Sequence, residues 1–299
     1  MTSTTVGIPL HASRPFLDVI SANIAALPDD VEIVVSDRTR VDDTIERLQD
    51  RHGDDHRVRF VAAAEGTGIV DHYNRLLRDA RGDYFMWMPH DDTFPPEYVP
   101  LLRAALDANP EANLAFGAVR PIDLHGALIP DMLKFYGDVP IELGTLSRAR
   151  EASYLWHHWS MWIPYRGLMR RREVVRRRLF LRSGLQEYWH DNTWVFAMTV
   201  VAPIVYVPEC VCEKRFHPGS HHVQMRRRRG IDELWEIVTV ARYMVGARVP
   251  VRDAAEAVMD TTLLAVVRAF RKLPRGLRES FPEPVRRRAR SLLSRERSR

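Results

Sequence analysis

The residues best suited to chemistry in this 299-residue sequence are two adjacent carboxylates, Asp91 and Asp92, preceded by His90 and by the apolar run YFMWMP (Tyr84–Pro89). Neighbouring acids on a tight turn repel each other unless a cation or hydrogen-bond donors neutralise them. At the end of a buried strand they suit a hard divalent ion that bridges phosphate oxygens. Mg²⁺ or Mn²⁺ would take few protein ligands there, with a diphosphate supplying others. A plain structural role is equally open: an Asp capping the helix that starts near Pro96, since Asp is common at strand-to-helix turns.

The elements that must position this pair are legible in the first third of the chain. Val6–Leu10, Val31–Ser36, Val58–Ala63 and Tyr84–Met88 are short apolar runs. VEIVVS is nearly continuous, as expected of a strand covered on both faces. Between them lie stripes at helical spacing: Phe16, Ile20, Ile24 and Leu27 after Pro15; Val41, Ile45 and Leu48; and Ile69, Tyr73, Leu76, Leu77 and Ala80. Strands alternating with helices predict right-handed crossovers and a mostly parallel sheet. Such sheets bind ligands beyond the carboxyl ends of their strands, so chemistry is expected just after Leu10, Ser36, Ala63 and Met88. Later segments predict a helix and then the strand IVYVPECVC within 194–212, and helices from Ile231 onward.

Strand VGIPL, strand VEIVVSD, a glycine-containing segment and RGDYFMWMPHDDTFPPEYV, in that order, resemble the family 2 glycosyltransferases of the GT-A fold. The resemblance runs from Thr5 to about Val99 and resumes from Gly184 to His217. It implies a Rossmann-type, GT-A-like α/β sheet flanked by helices. Residues 1–225 would form the catalytic domain, with 1–120 as its nucleotide-sugar half and 121–225 as its acceptor half. A helical extension would follow at 226–299. The activity implied is transfer of a sugar from a nucleoside-diphosphate sugar to an acceptor hydroxyl, with inversion and a divalent metal.

The family's motifs also carry roles to single residues. Asp37, ending the second strand, matches the nucleobase contact. Pro9, Leu10, Gly68, Asn74, His90, Asp91 and Arg215 match nucleotide-side positions, with Gly66 close by. In the family's D-x-D-D pattern the leading acid, expected at the ribose, is Pro89 here, while Asp91 and Asp92 keep the metal role. Gly184–His217 resembles the family's second half, in which Asp191 is the catalytic base and Glu187 the next candidate. In KRFHPGSHH, His217 would complete the metal shell, with His221 and His222 as competitors. Lys214 or Arg215 would meet the diphosphate as a cation. The aromatic cluster Trp156, His157, His158, Trp159, Trp162 and Tyr165 falls on the acceptor side, where ring faces suit sugars or an apolar aglycone. Core packing is the equal alternative.

Composition is that of an ordinary globular protein, 45% hydrophobic and 28% charged. No basic-then-apolar leader opens the chain, and Trp194–Val207 is too short to span a bilayer and contains Pro203. Cys210 and Cys212 would point to one face of a strand, which is poor disulfide geometry, and this fits a reducing cytoplasm. The net charge of +5 is uneven: Leu264–Arg299 carries twelve basic residues against three Glu. A basic tail on a near-neutral body argues against specific nucleic-acid binding and allows either a solvated end or peripheral contact with the inner face of a membrane. The acceptor would be a saccharide, a lipid-linked molecule or a small molecule. Two rival functions remain. A sugar-phosphate nucleotidyltransferase would need a Gly-rich loop after the first strand, where this chain has His11–Pro15. A non-catalytic lipid- or nucleic-acid-binding protein would work through the tail alone.

Overall fold

The computed structural model describes residues 3–64, 66–136, 139, 142–158, 161–183, 190–219, 230–272 and 283. At 134–135, 157–158, 230–234 and 263–272 the description is of backbone alone. The four apolar runs are strands β1 (Thr4–Leu10), β2 (Val31–Asp37), β3 (Val58–Ala62) and β4 (Tyr84–Trp87). Every residue of β1 and β4 is buried. Each such Val, Ile, Leu or Met contributes about 1.5–3 kcal/mol by leaving water. Helices α1 (Leu17–Ala26), α2 (Thr44–His52) and α3 (Ile69–Asp79) cross between them, and the three predicted stripes turn Ile20, Ile24, Ile45, Leu48, Leu76 and Leu77 into the core. A 3₁₀ turn, Arg14–Phe16, leads into α1.

Past α4 (Tyr98–Ala108) the sheet continues with β5 (Leu114–Ile122), β6 (Leu168–Arg170) and β7 (Ile204–Arg215). The order is β3-β2-β1-β4-β6-β5-β7. Among the described strands only β6 runs against the rest, so the carboxyl ends of β1, β2, β4, β5 and β7 share one edge. This is the mostly parallel, GT-A-like sheet flanked by helices that the sequence predicts. Chain order reverses across β1 and β4, which opens a crevice beyond Leu10 and Trp87.

The remaining helices cover the second half: α5 (Arg148–His158), α6 (Arg171–Arg176), α7 (His190–Val201), α8 (Gly230–Gly246) and α9 (Val251–Lys272). α8 packs on α7, and α9 packs on α5 and α8. Among the described residues no helix is long and apolar enough to cross a membrane.

The register of β5 against β7 shifts between Gly117 and Ala118, where a side chain at 117 would overlap the Cys210 carbonyl oxygen. Only glycine lets the two backbones approach so closely. Cys210 and Cys212 are both fully buried free thiols. Burial, above all, pushes the Cys212 thiol up to about 12 and Cys210 higher still. The reactive species is the thiolate. Neither thiol should therefore react with a water-soluble thiol reagent near pH 8 in the native protein, while both should react in denaturant. Native labelling at either position by mass spectrometry would contradict this packing.

Candidate active site

Three strand exits build the site. β4 ends at Trp87 and leads through the buried Met88 to His90, Asp91 and Asp92; β1 ends at Leu10; β7 ends at Arg215 and continues to His217. A two-bond bridge between Thr93 and Glu213, 2.9 Å in both directions, ties the segment after β4 to the end of β7. Residues more than 120 positions apart in sequence are thereby brought within hydrogen-bond reach.

The two carboxylates part company at this point. Asp92 is wholly buried: its Oδ2 accepts a 2.6 Å bond from Arg166 Nε, and its Oδ1 accepts the backbone N–H of Arg215 at 3.0 Å. Its own carbonyl accepts a 2.8 Å bond from the Asn23 side chain, which in turn accepts the Phe94 N–H. At Asp92, the expected metal ligand, both oxygens accept hydrogen bonds from protein donors, and the side chain is the counter-ion of a buried arginine. Burial disfavours the charged Arg166 most strongly, yet Asp92, Cys212 and Asp91 together hold its pKa above the usual value.

Asp91 faces the other way. Its Oδ2 lies 3.2 Å from His217 Nε2. Burial opposes its charge most strongly, yet the His217 contact and the nearby His90, Lys214 and Arg166 together hold the carboxyl well below the usual range. Phe16 wedges beside both imidazoles, its ring 5.6 Å from His90 and 4.7 Å from His217. His90 Nδ1 sits 3.2 Å from the Pro9 carbonyl oxygen, which links the ends of β1 and β4. The separation of Asp91 Oδ2 and His217 Nε2 suits a metal: two donors at right angles, each about 2.1 Å from an ion, lie about 3.0 Å apart. Among the described residues no group of three or more His, Cys, Asp or Glu gathers into a complete cage. A cation held there would need oxygens from its ligand.

The two neighbouring cations divide similarly. The Arg215 guanidinium is spent on the chain itself, donating to the carbonyls of Asp91, Asp123 and Leu124 and to Thr93 Oγ1. It clamps the turn. Lys214 Nζ stands 5.4 Å from the Trp162 ring and 5.0 Å from the Phe216 ring, and burial and then Arg166 lower its pKa. Asp91, Asp92 and Asp191 all act on it electrostatically.

Asp191 lies in the first turn of α7, where its Oδ1 accepts the Asn192 N–H at 2.8 Å. Asp191 acts electrostatically on Tyr73, Tyr165 and Lys214. Tyr73, Tyr165 and Trp87 form a stack, with Tyr165 centred 5.9 Å from Tyr73 and 5.1 Å from Trp87. Asp37 is buried at the end of β2, with Oδ1 accepting the N–H groups of Thr39 and Arg40. The Leu10 carbonyl accepts the Arg38 N–H alongside. Gly68 precedes the first turn of α3, and Gly66 turns the chain with φ +74°.

At Asn74, expected on the nucleotide side, both ends of the amide bond the Leu181 backbone, at 2.9 and 2.8 Å. The expected aromatic cluster also separates. Trp156 packs edge-on to Phe196, whereas Trp162 lies over Arg166 and Lys214. Glu187, Trp159, His221, His222 and the side chains of His157 and His158 lie outside the described residues. Sequence reasoning missed Arg166, Phe16 and Tyr73 as site residues. Phe16 and Tyr73 looked like core positions, and nothing in the sequence pairs Arg166 with an acid 74 residues away.

The chain belongs to glycosyl transferase family 2, whose sequence model matches residues 5–172. With that comes glycosyltransferase function of the GT-A type. Asp91 and Asp92 lie inside the matched stretch; Asp191 and His217 lie beyond it. Among solved structures it is similar to S. aureus TarS 1–349 in complex with UDP-GlcNAc, at 13% identity and TM-score 0.59, covering 91% of this chain and 82% of that one. It is also similar to the mannosyltransferase PcManGT from Pyrobaculum calidifontis in complex with GDP-Man and Mn²⁺, at 17% identity and TM-score 0.56, covering 99% and 80%. At such identities the likeness is one of fold. No curated protein matches in sequence.

Proposed function

We propose that this glycosyltransferase moves a hexosyl group from a nucleoside-diphosphate sugar to an acceptor hydroxyl, with inversion and with a divalent metal held by Asp91 and His217. The observation that carries this reading is the 3.2 Å approach of Asp91 Oδ2 to His217 Nε2 at the shared strand edge, with Lys214 beside them. The nucleotide would lie along the ends of β1, β2 and β4, against Asp37 and the Pro9–Leu10 turn. Lys214 would meet the diphosphate. The metal, when bound, would offset charge on the departing diphosphate. Asp191 would take the proton of the attacking acceptor hydroxyl. In this reading residues 1–120 hold the donor, 121–225 build the acceptor side, and 226–299 form the extension.

A thermal-unfolding panel of UDP, GDP, ADP, CDP and TDP, with and without Mn²⁺, tests the metal and the donor together. A ligand at 100 times its Kd stabilises the folded state by about 2.7 kcal/mol. One nucleotide should raise the midpoint of the wild type in the presence of Mn²⁺, and Asp91→Asn should lose the Mn²⁺-dependent part. A nucleotide shift that is identical with Mn²⁺ and with chelator would overturn the metal assignment. Incubation with a sugar phosphate and a nucleoside triphosphate separates the nucleotidyltransferase alternative, which predicts pyrophosphate release.

A further inference from the structure

The exposed side of the α8–α9 pair is apolar and cationic at once. On α8, Trp235, Val238 and Val245 are 37%, 45% and 81% exposed. With the exposed Arg242 they fall at steps of three, four and three residues, on one face of the helix. After the turn, Val251 and Met259 on α9 are 86% and 69% exposed, with Arg248 and Arg252 exposed beside the turn. Among the described side chains the carboxylates of these helices lie elsewhere, Asp260 part-buried under the influence of Glu256 and Arg150. Glu236 is buried, Glu256 pairs with Arg150, and Asp253 and Glu256 line a cavity against α5 together with Ser147, Arg148 and Glu151. An aqueous surface has little reason to segregate its charges in this way.

From this pattern we infer that the outer face of α8 and the α8–α9 turn form a docking surface for an anionic lipid membrane. Valine, methionine and tryptophan side chains would enter the headgroup boundary, and Arg242, Arg248 and Arg252 would meet lipid phosphates. Charge complementarity extends along the chain. Residues 273–299, which follow α9 directly, hold nine arginines against three glutamates. The second signal that stable interfacial binding requires is a cluster of basic residues, which Arg242, Arg248 and Arg252 provide. The proposal is independent of the transferase reading, because it concerns helices outside the crevice.

Co-sedimentation of the full chain with phosphatidylcholine vesicles, alone or with about one third phosphatidylglycerol, tests it. The wild type should bind the anionic vesicles only. The double variant Val238→Asp and Val245→Asp should bind at least about tenfold more weakly at the same salt, with an unchanged thermal midpoint. Replacing the same two residues by Leu should retain binding, which separates loss of the apolar contact from loss of folding. No binding of the wild type to anionic vesicles would overturn the proposal. So would full binding by the Asp variant, which would assign attachment to the tail alone. A wild-type dimer that the Asp variant dissociates, without vesicle binding in either, would assign the face to self-association and likewise overturn it.

Discussion

Asp191→Asn should lower turnover about 10²- to 10⁴-fold, the range lost when a positioned general base is removed. The side chain keeps its size and can still accept the Asn192 N–H that Asp191 Oδ1 accepts at 2.8 Å, so the first turn of α7 should persist. What disappears is the capacity to take a proton from the acceptor hydroxyl. In the proposed reading donor binding rests on Asp91, His217 and the ends of β1, β2 and β4 and should change little, so the Mn²⁺-dependent thermal shift should survive in the same variant. Steady-state kinetics with the donor identified by the nucleotide panel checks both halves. Normal turnover would remove Asp191 from the mechanism and direct the search to Glu187. Equal loss of turnover and of nucleotide binding would instead indicate damage to the fold.

The second large effect concerns stability. Asp92→Asn leaves Arg166, only 6% exposed, without its counter-ion, and breaking one side of a buried pair costs about 3–5 kcal/mol. That is a large part of the roughly 5–15 kcal/mol by which a domain is stable. Asparagine keeps a single acceptor oxygen, so it can serve the Arg215 N–H or Arg166 but not both, and losing either loosens the turn that carries Asp91. Adding Arg166→Met to Asp92→Asn should restore much of the stability, since a buried pair replaced by apolar groups is often neutral. Urea unfolding of the two single variants and the double variant measures the coupling. A cost below about 1 kcal/mol for Asp92→Asn would mean that the pair does not anchor the turn. The experiment also separates the two acids: Asp91→Asn should lose Mn²⁺-dependent binding without a comparable loss of stability.

Most of the first third of the fold was legible in the residues. The four apolar runs and three helical stripes recur because each element has to bury one face, and burial writes a period into the sequence. The strand exits followed from parallel topology, which directed attention to Asp37 and to His90–Asp92. β5 escaped notice although LAFGAV is an apolar run, because it precedes a stretch of weak periodicity. The three-residue β6 is too short to carry any period.

Which acid faces the crevice was decided by tertiary structure alone. Asp91 and Asp92 are chemically identical neighbours, and local sequence offers no asymmetry between them. Asp92 became an internal counter-ion because β6 and its preceding turn deliver Arg166 from 74 residues away, and because β7 delivers the Arg215 N–H from 123 residues away. The same long-range pairing consumed the Arg215 guanidinium and left Lys214 among the rings of Trp162 and Phe216. Residue type and spacing determined that a carboxylate pair with cations would stand at a strand exit. The division of labour among them depends on which partners folding brings within about 3 Å, and that is a property of the packed chain.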